Sequence, residues 1–177
     1  MADLRVLHTA DLDATTRHDL RDLLDLAFDG EFPDEDWEHC LGGLHALLYD
    51  GDTLIGHAAV VQRQLLHQGR TLRTGYVEGV AVHPAHQRRG HGGTLMAPLE
   101  RIIRHGYQLG ALGAARDAQP LYRRRGWLPW LGTTAALTPE GILPTPEETE
   151  AVHVLPVHVT LDRTGLLTCD WRDGDLW

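Results

Sequence analysis

Apolar and polar residues follow two different periods along this chain, one typical of strands and one typical of helices. Strands are predicted at Leu4–His8, Leu44–Tyr49, Thr53–Leu66, a stretch ending at Val82, Tyr107–Leu112, Thr133–Leu137 and Val152–Thr160. Helices are predicted at about Thr15–Phe28, near Asp34–His39, from the glycine-rich segment after Val82 to about Arg104, and at Ala118–Arg124.

Turn signals separate these elements. Asp50-Gly51 and Gln68-Gly69 predict two hairpins, and either Asp13 or Thr15 is placed to cap the first helix. The proline-rich stretch Pro139–Thr149 predicts a loop. Antiparallel strands come first, and strand, helix, strand and helix follow. This order predicts an α/β (α+β) fold with a mixed sheet and helices on both faces, in which the strands around the glycine-rich segment run parallel.

The segment Val80–Gly93 has the pattern of a strand that feeds a loop and then a helix. Pro84 cannot extend a paired ladder, so the chain must turn there. Three glycines then remove Cβ atoms where the backbone has to approach a ligand closely. Since the first N–H groups of a helix carry partial positive charge and two arginines add full charges, the loop is predicted to bind a diphosphate.

Two other phosphate loops are excluded by their residues. A Walker loop needs a lysine, and this sequence has none; a dinucleotide loop needs Gly-x-Gly-x-x-Gly followed by a ribose-binding acid. The spacing here is Gln-x-x-Gly-x-Gly over Gln87–Gly92. It resembles the acyl-CoA pyrophosphate loop of the GNAT superfamily of N-acetyltransferases.

The resemblance implies a GNAT fold, a mixed and mostly antiparallel sheet splayed at two parallel strands, with the thioester arm lying in the gap. It implies that acetyl-CoA is the cosubstrate and that the Val80 and Val82 main chains are free to bond the pantetheine. The cofactor-binding residues it implies are Val80, Ala81, Val82, Gln87, Arg88, Arg89, Gly90, His91 and Gly92.

Length and cysteine content set limits on the class of protein. A chain of 177 residues fits a single domain, residues 1–177, with a core large enough to need no disulfide or metal. Cys40 and Cys169 match no ligand spacing and are interpreted as reduced structural thiols. No apolar run is as long as a membrane span and the first residues do not resemble a secretory signal, so a cytoplasmic location is expected.

Charge is segregated along the chain. Arg63–Arg125 holds eleven arginines and three acids, whereas Asp22–Gln62 holds ten acids and no base, and Pro139–Trp177 holds eight acids and two bases. This pattern favours a polyanionic cofactor and a cationic substrate, although acidic flanks also serve solubility. It disfavours nucleic acid, which needs a continuous basic surface.

Two residues are candidates for the chemistry of acetyl transfer. Glu78 is a carboxylate within an otherwise apolar strand just before the loop, and we interpret it as the base that acts through ordered water. Tyr122 resembles the GNAT tyrosine that hydrogen-bonds the CoA sulfur, and it is the predicted general acid. The alternatives are an exposed strand residue for Glu78 and a tyrosine packed on a helix for Tyr122.

The last nine residues, Cys169–Trp177, combine two tryptophans with three aspartates, a composition that predicts a docked segment able to hold a cationic sugar. Over essentially its whole length the chain resembles the aminoglycoside 2′-N-acetyltransferases, through blocks such as Asp36-Trp37-Glu38-His39, Gly75–Val82, Gly126–Trp130 and Asp170–Trp177. That resemblance implies a homodimer and antibiotic resistance. The substrate-binding residues it implies are Glu31, Asp36, Glu78, Gly79, Gly113, Glu147, Glu148, Asp175 and the carboxylate of Trp177.

The twelve histidines show no spacing that puts two metal ligands on one helical turn with a third nearby, so no metal is predicted. His86 and His91 are interpreted as contacts of cofactor phosphate or solvent. The leading function is direct transfer of acetyl from acetyl-CoA to the 2′-amine of an aminoglycoside. Two alternatives stay open: acetylation of another amine, such as a polyamine, a mycothiol or a cell-wall precursor, and a non-catalytic CoA-binding domain.

Overall fold

The computed structural model describes residues 2–177. These residues divide into two compact units. One unit comprises Val77–Arg101 and the described part of Met1–Val61, and the other comprises Gln62–Tyr76 and Ile102–Trp177. Strands β3 (Thr53–His67) and β4 (Arg70–Val82) and helix α3 (His91–Gly106) contribute residues to both units. The single domain expected from chain length stays a prediction.

The first unit places two further strands beside the start of β3. It contains β1 (Asp3–His8), α1 (Ala14–Ala27), α2 (Asp34–Cys40) and β2 (Leu44–Asp50). β2 pairs antiparallel with both β1 and β3. The side chain of Asp13 caps α1 by accepting a hydrogen bond from the Thr16 N–H at 2.7 Å, so Asp13 rather than Thr15 is the cap. Of the residues described, these elements match the predicted ones to within a residue or two.

Helices cover both faces of the sheet in this unit. On one face Leu47 of β2 packs with Leu20 and Leu23 of α1. The next residue, Leu48, points to the opposite face, because successive strand residues alternate. There a Cβ atom at Gly56 would lie 3.0 Å from Leu95 of α3 and 3.3 Å from Leu48, so the missing side chain lets the helix approach the sheet.

The second unit contains β5 (Leu109–Gly113), α4 (Gln119–Arg124), β6 (Leu128–Pro129), β7 (Thr134–Thr138), β8 (Gly141–Pro144), β9 (Val152–Pro156) and β10 (Leu167–Cys169). Its strands lie in the order β6-β9-β5-β4-β3-β10-β7-β8. The pairs β4 with β5 and β10 with β7 are parallel, whereas β5 with β9, β10 with β3 and β7 with β8 are antiparallel. The sheet is therefore mixed, as predicted.

The two strands that the sequence expects to splay, β4 and β5, pair in parallel over a short stretch. Thr74–Tyr76 pairs with Leu109–Ala111, although β4 continues to Val82 and β5 to Gly113. Gly75 and Gly110 lie within this stretch, and Cβ atoms there would lie 2.8 Å and 3.1 Å from the side chain of Ile103. Glycine at both positions lets α3 pack directly on the paired strands.

Two sequence predictions for the second unit are wrong, and one strand was missed. The expected loop Pro139–Thr149 contains β8, which pairs with β7 as an edge strand and so tolerates proline at its end. The strand β10 was not predicted, because three residues carry too little periodicity. The strand expected over Val152–Thr160 ends at Pro156, after which the N–H groups of Val157 and His158 donate to the carbonyl of Gln108.

Packing of α1 gives a direct test of this architecture. Leu24 is fully buried and packs with Phe32, Cys40 and Ala59, whereas Leu26 on the same helix is 48% exposed. We expect Leu24→Ala to lower the free energy of unfolding by about 2 to 5 kcal/mol, because it removes buried methyl groups and leaves a cavity. Urea denaturation measures this, and Leu26→Ala is the matched control, expected within about 0.5 kcal/mol of the parent protein. Equal losses in both variants would contradict the placement of α1.

Candidate acetyl-transfer site

The predicted diphosphate loop connects β4 to α3 in the first unit. β4 ends at Val82, and Pro84–His86 forms one turn of 3-10 helix before the loop begins. Arg88 and Gly90 both adopt left-handed backbone conformations, with φ of 60° and 86°. This conformation is strained for a residue with a side chain such as Arg88, and such strain concentrates at ligand-binding loops.

The first turn of α3 presents its N–H groups at the end of this loop. The Gly90 carbonyl accepts the first helical hydrogen bond, from the Thr94 N–H at 3.2 Å. The N–H groups of His91, Gly92 and Gly93 precede that bond and have no partner within the helix. Residues 87–90 are exposed, and a Cβ atom at Gly90 would meet nothing within 4 Å. The loop thus offers an open, positively charged cradle that fits a diphosphate.

One detail differs from the expectation for the pantetheine arm. The Val82 carbonyl accepts a hydrogen bond from the side-chain amide of Gln87 at 3.1 Å. The main chain of Val82 is therefore not wholly free, as the resemblance had implied. The same bond ties the first residue of the loop back to the end of β4, which fixes the direction in which the loop leaves the strand.

Glu78 and Gly79 lie on β4, where the strand is irregular. Gly79 has a φ of 55°, and a Cβ atom there would lie 2.7 Å from the Cys40 sulfur and 3.2 Å from the His57 ring. Only glycine satisfies both the conformation and the space. The Gly79 carbonyl points at His57, whose Nδ1 lies 2.7 Å away. Glu78, Gly79 and Val80 are all partly exposed.

Helix α2 brings one acidic candidate to the same part of this unit. Its last residue, Cys40, packs against Gly79, and the Cys40 thiol donates to the carbonyl of Asp36 at 3.4 Å. The Asp36 carboxylate is partly exposed and lies 3.7 Å from Nδ1 of His39. Glu31 is exposed in the segment that precedes α2.

Two fully buried histidines support the irregular strand, His45 on β2 and His57 on β3. Nδ1 of His45 lies 3.0 Å from Nε2 of His57, and Nε2 of His45 lies 2.7 Å from the Thr9 hydroxyl. Burial lowers the pKa of His45 to about 3, helped by the neighbouring His57. Burial likewise lowers the pKa of His57 to about 4, although the hydrogen bond to the Gly79 carbonyl favours the charged form and acts in the opposite direction. Both rings are neutral near pH 7.

Tyr122, the candidate general acid, lies on α4 in the second unit. Its side chain is buried and its ring packs edge-on against Trp127, with centroids 6.3 Å apart. Burial, aided by the negative charge of Asp117, raises the pKa of Tyr122 to about 12. The hydroxyl therefore keeps its proton throughout the neutral range and is available as a hydrogen-bond donor.

Three of the predicted acidic contacts come together in the second unit. Glu147 and Glu148 lie on one turn of 3-10 helix, Pro146–Glu148. The pKa of Glu148 is raised by burial first, and then by the negative charges of Asp175 and Glu147. Mutual repulsion of this kind is relieved when a cation binds among the carboxylates. The arrangement suits a ligand with several ammonium groups.

The segment ending at Trp177 is docked, as predicted. Trp177 is buried and its indole N–H donates to the buried hydroxyl of Thr145 at 2.9 Å. A Cβ atom at Gly113 would lie 3.5 Å from the backbone carbonyl carbon and oxygen of Trp177. The structure thus brings together Gly113 and Trp177, two of the residues that the resemblance assigned to the substrate.

The sequence analysis did not predict the side-chain contacts that hold this last segment in place. Arg63 is 5% exposed, donates through Nε to the Asp170 carboxylate at 2.7 Å, and lies over the Tyr76 ring at 4.7 Å. Arg172 lies over the same ring at 5.5 Å and donates to the Asp175 carbonyl at 2.6 Å. The available signal was the alternation along β3, which puts Arg63 on the same face as Val61 and Leu65, because charged residues are rarely buried without a partner.

Within residues 2–177, no group of three or more histidine, cysteine or acidic side chains is arranged to hold a metal ion. No helix of this described part is both long and apolar enough to cross a membrane.

The neutral histidine pair makes stability depend on pH. Because the folded pKa of His57 lies below its unfolded value, its contribution is full above about pH 6.5 and is lost as pH falls toward its folded pKa. The expected slope for His57 is about 1.4 kcal/mol per pH unit between roughly pH 6.5 and pH 5. Urea denaturation of the parent protein and His57→Asn, which does not titrate, measures it. Parallel losses in the two proteins would contradict the assignment.

Comparison with known proteins agrees with this geometry. Residues 9–129 match the acetyltransferase (GNAT) domain family. The chain is 49% identical over 177 residues to an aminoglycoside 2′-N-acetyltransferase of Mycolicibacterium fortuitum, covering 98% of this chain and 91% of that protein. Two solved structures share the fold. Escherichia coli ElaA has a TM-score of 0.64 and 20% identity, over 87% of this chain and 99% of that one. A GNAT family acetyltransferase from Brucella melitensis in complex with acetyl-CoA has a TM-score of 0.59 and 18% identity, over 90% of this chain and 91% of that one. The chain therefore belongs to the GNAT acetyltransferase family.

Proposed function

We propose that this acetyltransferase moves acetyl from acetyl-CoA to the 2′-amine of an aminoglycoside. The observation that carries the proposal is the 49% identity, over 98% of the chain, to an enzyme named for that reaction. Acetylation of the amine removes a positive charge from the drug, so the expected consequence is antibiotic resistance. The homodimer and the cytoplasmic location implied by the sequence stay predictions.

The loop after β4 is the proposed holder of the coenzyme diphosphate. The N–H groups at the start of α3 and the side chains of Arg88 and Arg89 supply the positive charge. The main chain of Val80–Val82 is the proposed contact of the pantetheine arm. The coenzyme supplies the acetyl thioester, whose carbonyl carbon is the electrophile.

The acidic residues are the proposed contacts of the acceptor. Glu147, Glu148 and Asp175 already form one group of negative charges, and Asp36 lies on the helix that packs against Gly79. An aminoglycoside carries several ammonium groups, so neutralising these carboxylates favours binding. Glu31, Gly113 and Trp177 complete the proposed substrate contacts.

The chemistry assigned to this chain is one proton transfer and one hydrogen bond to the departing sulfur. Glu78 accepts, through an ordered water, the proton that the amine gives up so that its nitrogen lone pair attacks the thioester carbonyl. The carbon–sulfur bond then breaks, and the sulfur departs with the electron pair. Tyr122 donates a hydrogen bond to that developing charge; its raised pKa makes full transfer of the proton costly.

A direct attack is favoured over an acyl-enzyme. Both cysteines are fully buried, and each thiol donates to a backbone carbonyl, Cys40 to Asp36 and Cys169 to Leu176. Burial also raises the pKa of Cys169, which lowers its thiolate fraction. Neither thiol has the character of an activated nucleophile.

The acceptor position is tested by three drugs assayed for CoA release. Gentamicin and tobramycin carry a 2′-amine, whereas kanamycin A carries a 2′-hydroxyl at that position. We expect turnover of the first two and at least about 100-fold lower kcat/KM for kanamycin A, because a hydroxyl is the weaker nucleophile. Equal turnover of all three would overturn the 2′ assignment. Turnover of none, with a polyamine accepted instead, would favour a different amine.

The two catalytic assignments are tested by removing one functional group at a time. We expect Tyr122→Phe and Glu78→Gln each to lower kcat by about 100-fold, the usual size of a general acid–base contribution, with a smaller change in KM for the drug. Steady-state kinetics measures this. Tyr107→Phe and Glu140→Gln, which make the same changes outside the proposed machinery, are the controls. Unchanged kcat in either catalytic variant would remove that residue from the mechanism.

A further inference from the structure

A continuous chain of hydrogen bonds crosses the interior of the first unit and ends on β4. The Thr9 hydroxyl meets Nε2 of His45 at 2.7 Å, Nδ1 of His45 meets Nε2 of His57 at 3.0 Å, and Nδ1 of His57 meets the Gly79 carbonyl at 2.7 Å. At its far end the Thr9 oxygen accepts from the Gly42 N–H at 2.9 Å. None of the catalytic steps above uses this chain.

The partners fix the position of every proton in the chain. A carbonyl only accepts, so Nδ1 of His57 carries the hydrogen, and Nε2 of the neutral ring must then accept from His45. By the same reasoning His45 carries its hydrogen on Nδ1 and accepts at Nε2 from the Thr9 hydroxyl at 2.7 Å; the other acceptor within reach of that hydroxyl, the Gly43 carbonyl, lies farther away at 3.2 Å. All donors therefore point the same way, from the Gly42 backbone toward Gly79.

The direction of these bonds sets the orientation of one peptide group. In a planar trans peptide the carbonyl and the following N–H point in opposite directions. With the Gly79 carbonyl turned toward His57, the N–H of Val80 is directed away from the two histidines. Gly79 permits this by its left-handed φ of 55°, which puts the strand out of its regular alternation.

The two end groups of this hydrogen-bond chain do not fit a role in conducting protons. One end is an amide carbonyl and the other is an amide N–H, and neither group takes up or releases a proton in the physiological range. The chain has no exit to a titratable side chain through these bonds. Its effect is on geometry and on the polarity of the peptide group, since a hydrogen bond to the carbonyl makes the N–H of the same peptide a stronger donor.

We propose that His57 is a positioning residue for acetyl transfer, because its ring holds and polarises the Gly79–Val80 peptide group. His45 and Thr9 keep that ring in one tautomer. The inference rests on the proposed function, in which Glu78 is the base and Val80 contacts the thioester arm. A peptide group turned by even a small angle would misplace both.

Paired substitutions at His57 separate the hydrogen bond from simple packing. The side chain introduced by His57→Asn carries an N–H donor on Cγ, the carbon that bears Nδ1 in histidine, whereas His57→Leu removes the donor altogether. We expect His57→Leu to lower kcat by roughly 10- to 100-fold with little change in KM for acetyl-CoA, somewhat less than the loss of a donor that contacts the reacting atoms. We expect His57→Asn to recover most of that loss.

Thr9→Val tests the remote end of the chain, and His67→Leu is the matched control. His67 is also buried and meets a backbone carbonyl, that of Leu166, through Nδ1 at 2.8 Å, but it has no part in the chain. We expect Thr9→Val to lower kcat by a few-fold and His67→Leu to lower the thermal midpoint while kcat stays near that of the parent protein.

An NMR signature makes the proposal independent of activity. We expect the Val80 amide nitrogen and proton resonances to move upfield in His57→Leu and to return toward the parent positions in His57→Asn, because they report the bond to the Gly79 carbonyl. Both histidines should show the Nδ1–H tautomer. An active parent protein with equal kcat in all His57 variants, or an unmoved Val80 resonance in His57→Leu, would overturn the proposal. An inactive parent protein with the expected Val80 shift would overturn the proposed function instead.

Discussion

The conformation of one peptide group, between Gly79 and Val80, is the constraint on which the first unit depends. Gly79 lies where the Cys40 sulfur of α2 and the His57 ring of β3 converge, so a side chain has no room and the backbone adopts a left-handed turn. That turn makes β4 irregular between the candidate base, Glu78, and the start of the coenzyme loop. Two neutral histidines hold the turned carbonyl from inside the protein.

The residues proposed to bind the coenzyme and those proposed to bind the acceptor carry opposite charges. The proposed coenzyme loop combines helix N–H groups with arginines in a segment where bases outnumber acids, and Arg88 within it has a left-handed backbone conformation. In the second unit, burial and then the negative charges of Asp175 and Glu147 raise the pKa of Glu148, so a bound cation there is favourable. The proposed function therefore assigns a cationic sugar and an anionic coenzyme to separate groups of residues of matching charge.

Local sequence patterns predicted most of the fold and supplied many residues of the candidate site, whose roles stay predictions. The Gln-x-x-Gly-x-Gly segment, the hairpins at Asp50-Gly51 and Gln68-Gly69 and the Asp13 cap all depend on neighbouring residues, so the sequence alone indicates them. The edge strand β8 was missed because its prolines indicate a loop, and only its pairing with β7 makes it a strand. The polar residue His57 in an apolar strand was a visible signal, but its partner His45 lies on another strand.

The amino-acid sequence by itself determined most of the elements, the position of the glycine-rich loop and the family, because each depends on residue type and short-range spacing. Only the tertiary structure decided that His45, His57 and Gly79 form one directed hydrogen-bond chain. It also decided that Arg63, Tyr76 and Arg172 stack beside the docked last segment. The physical reason is that such contacts join residues a dozen or more positions apart. Strand pairing and packing bring these residues together, and their meeting leaves no periodic pattern in the sequence.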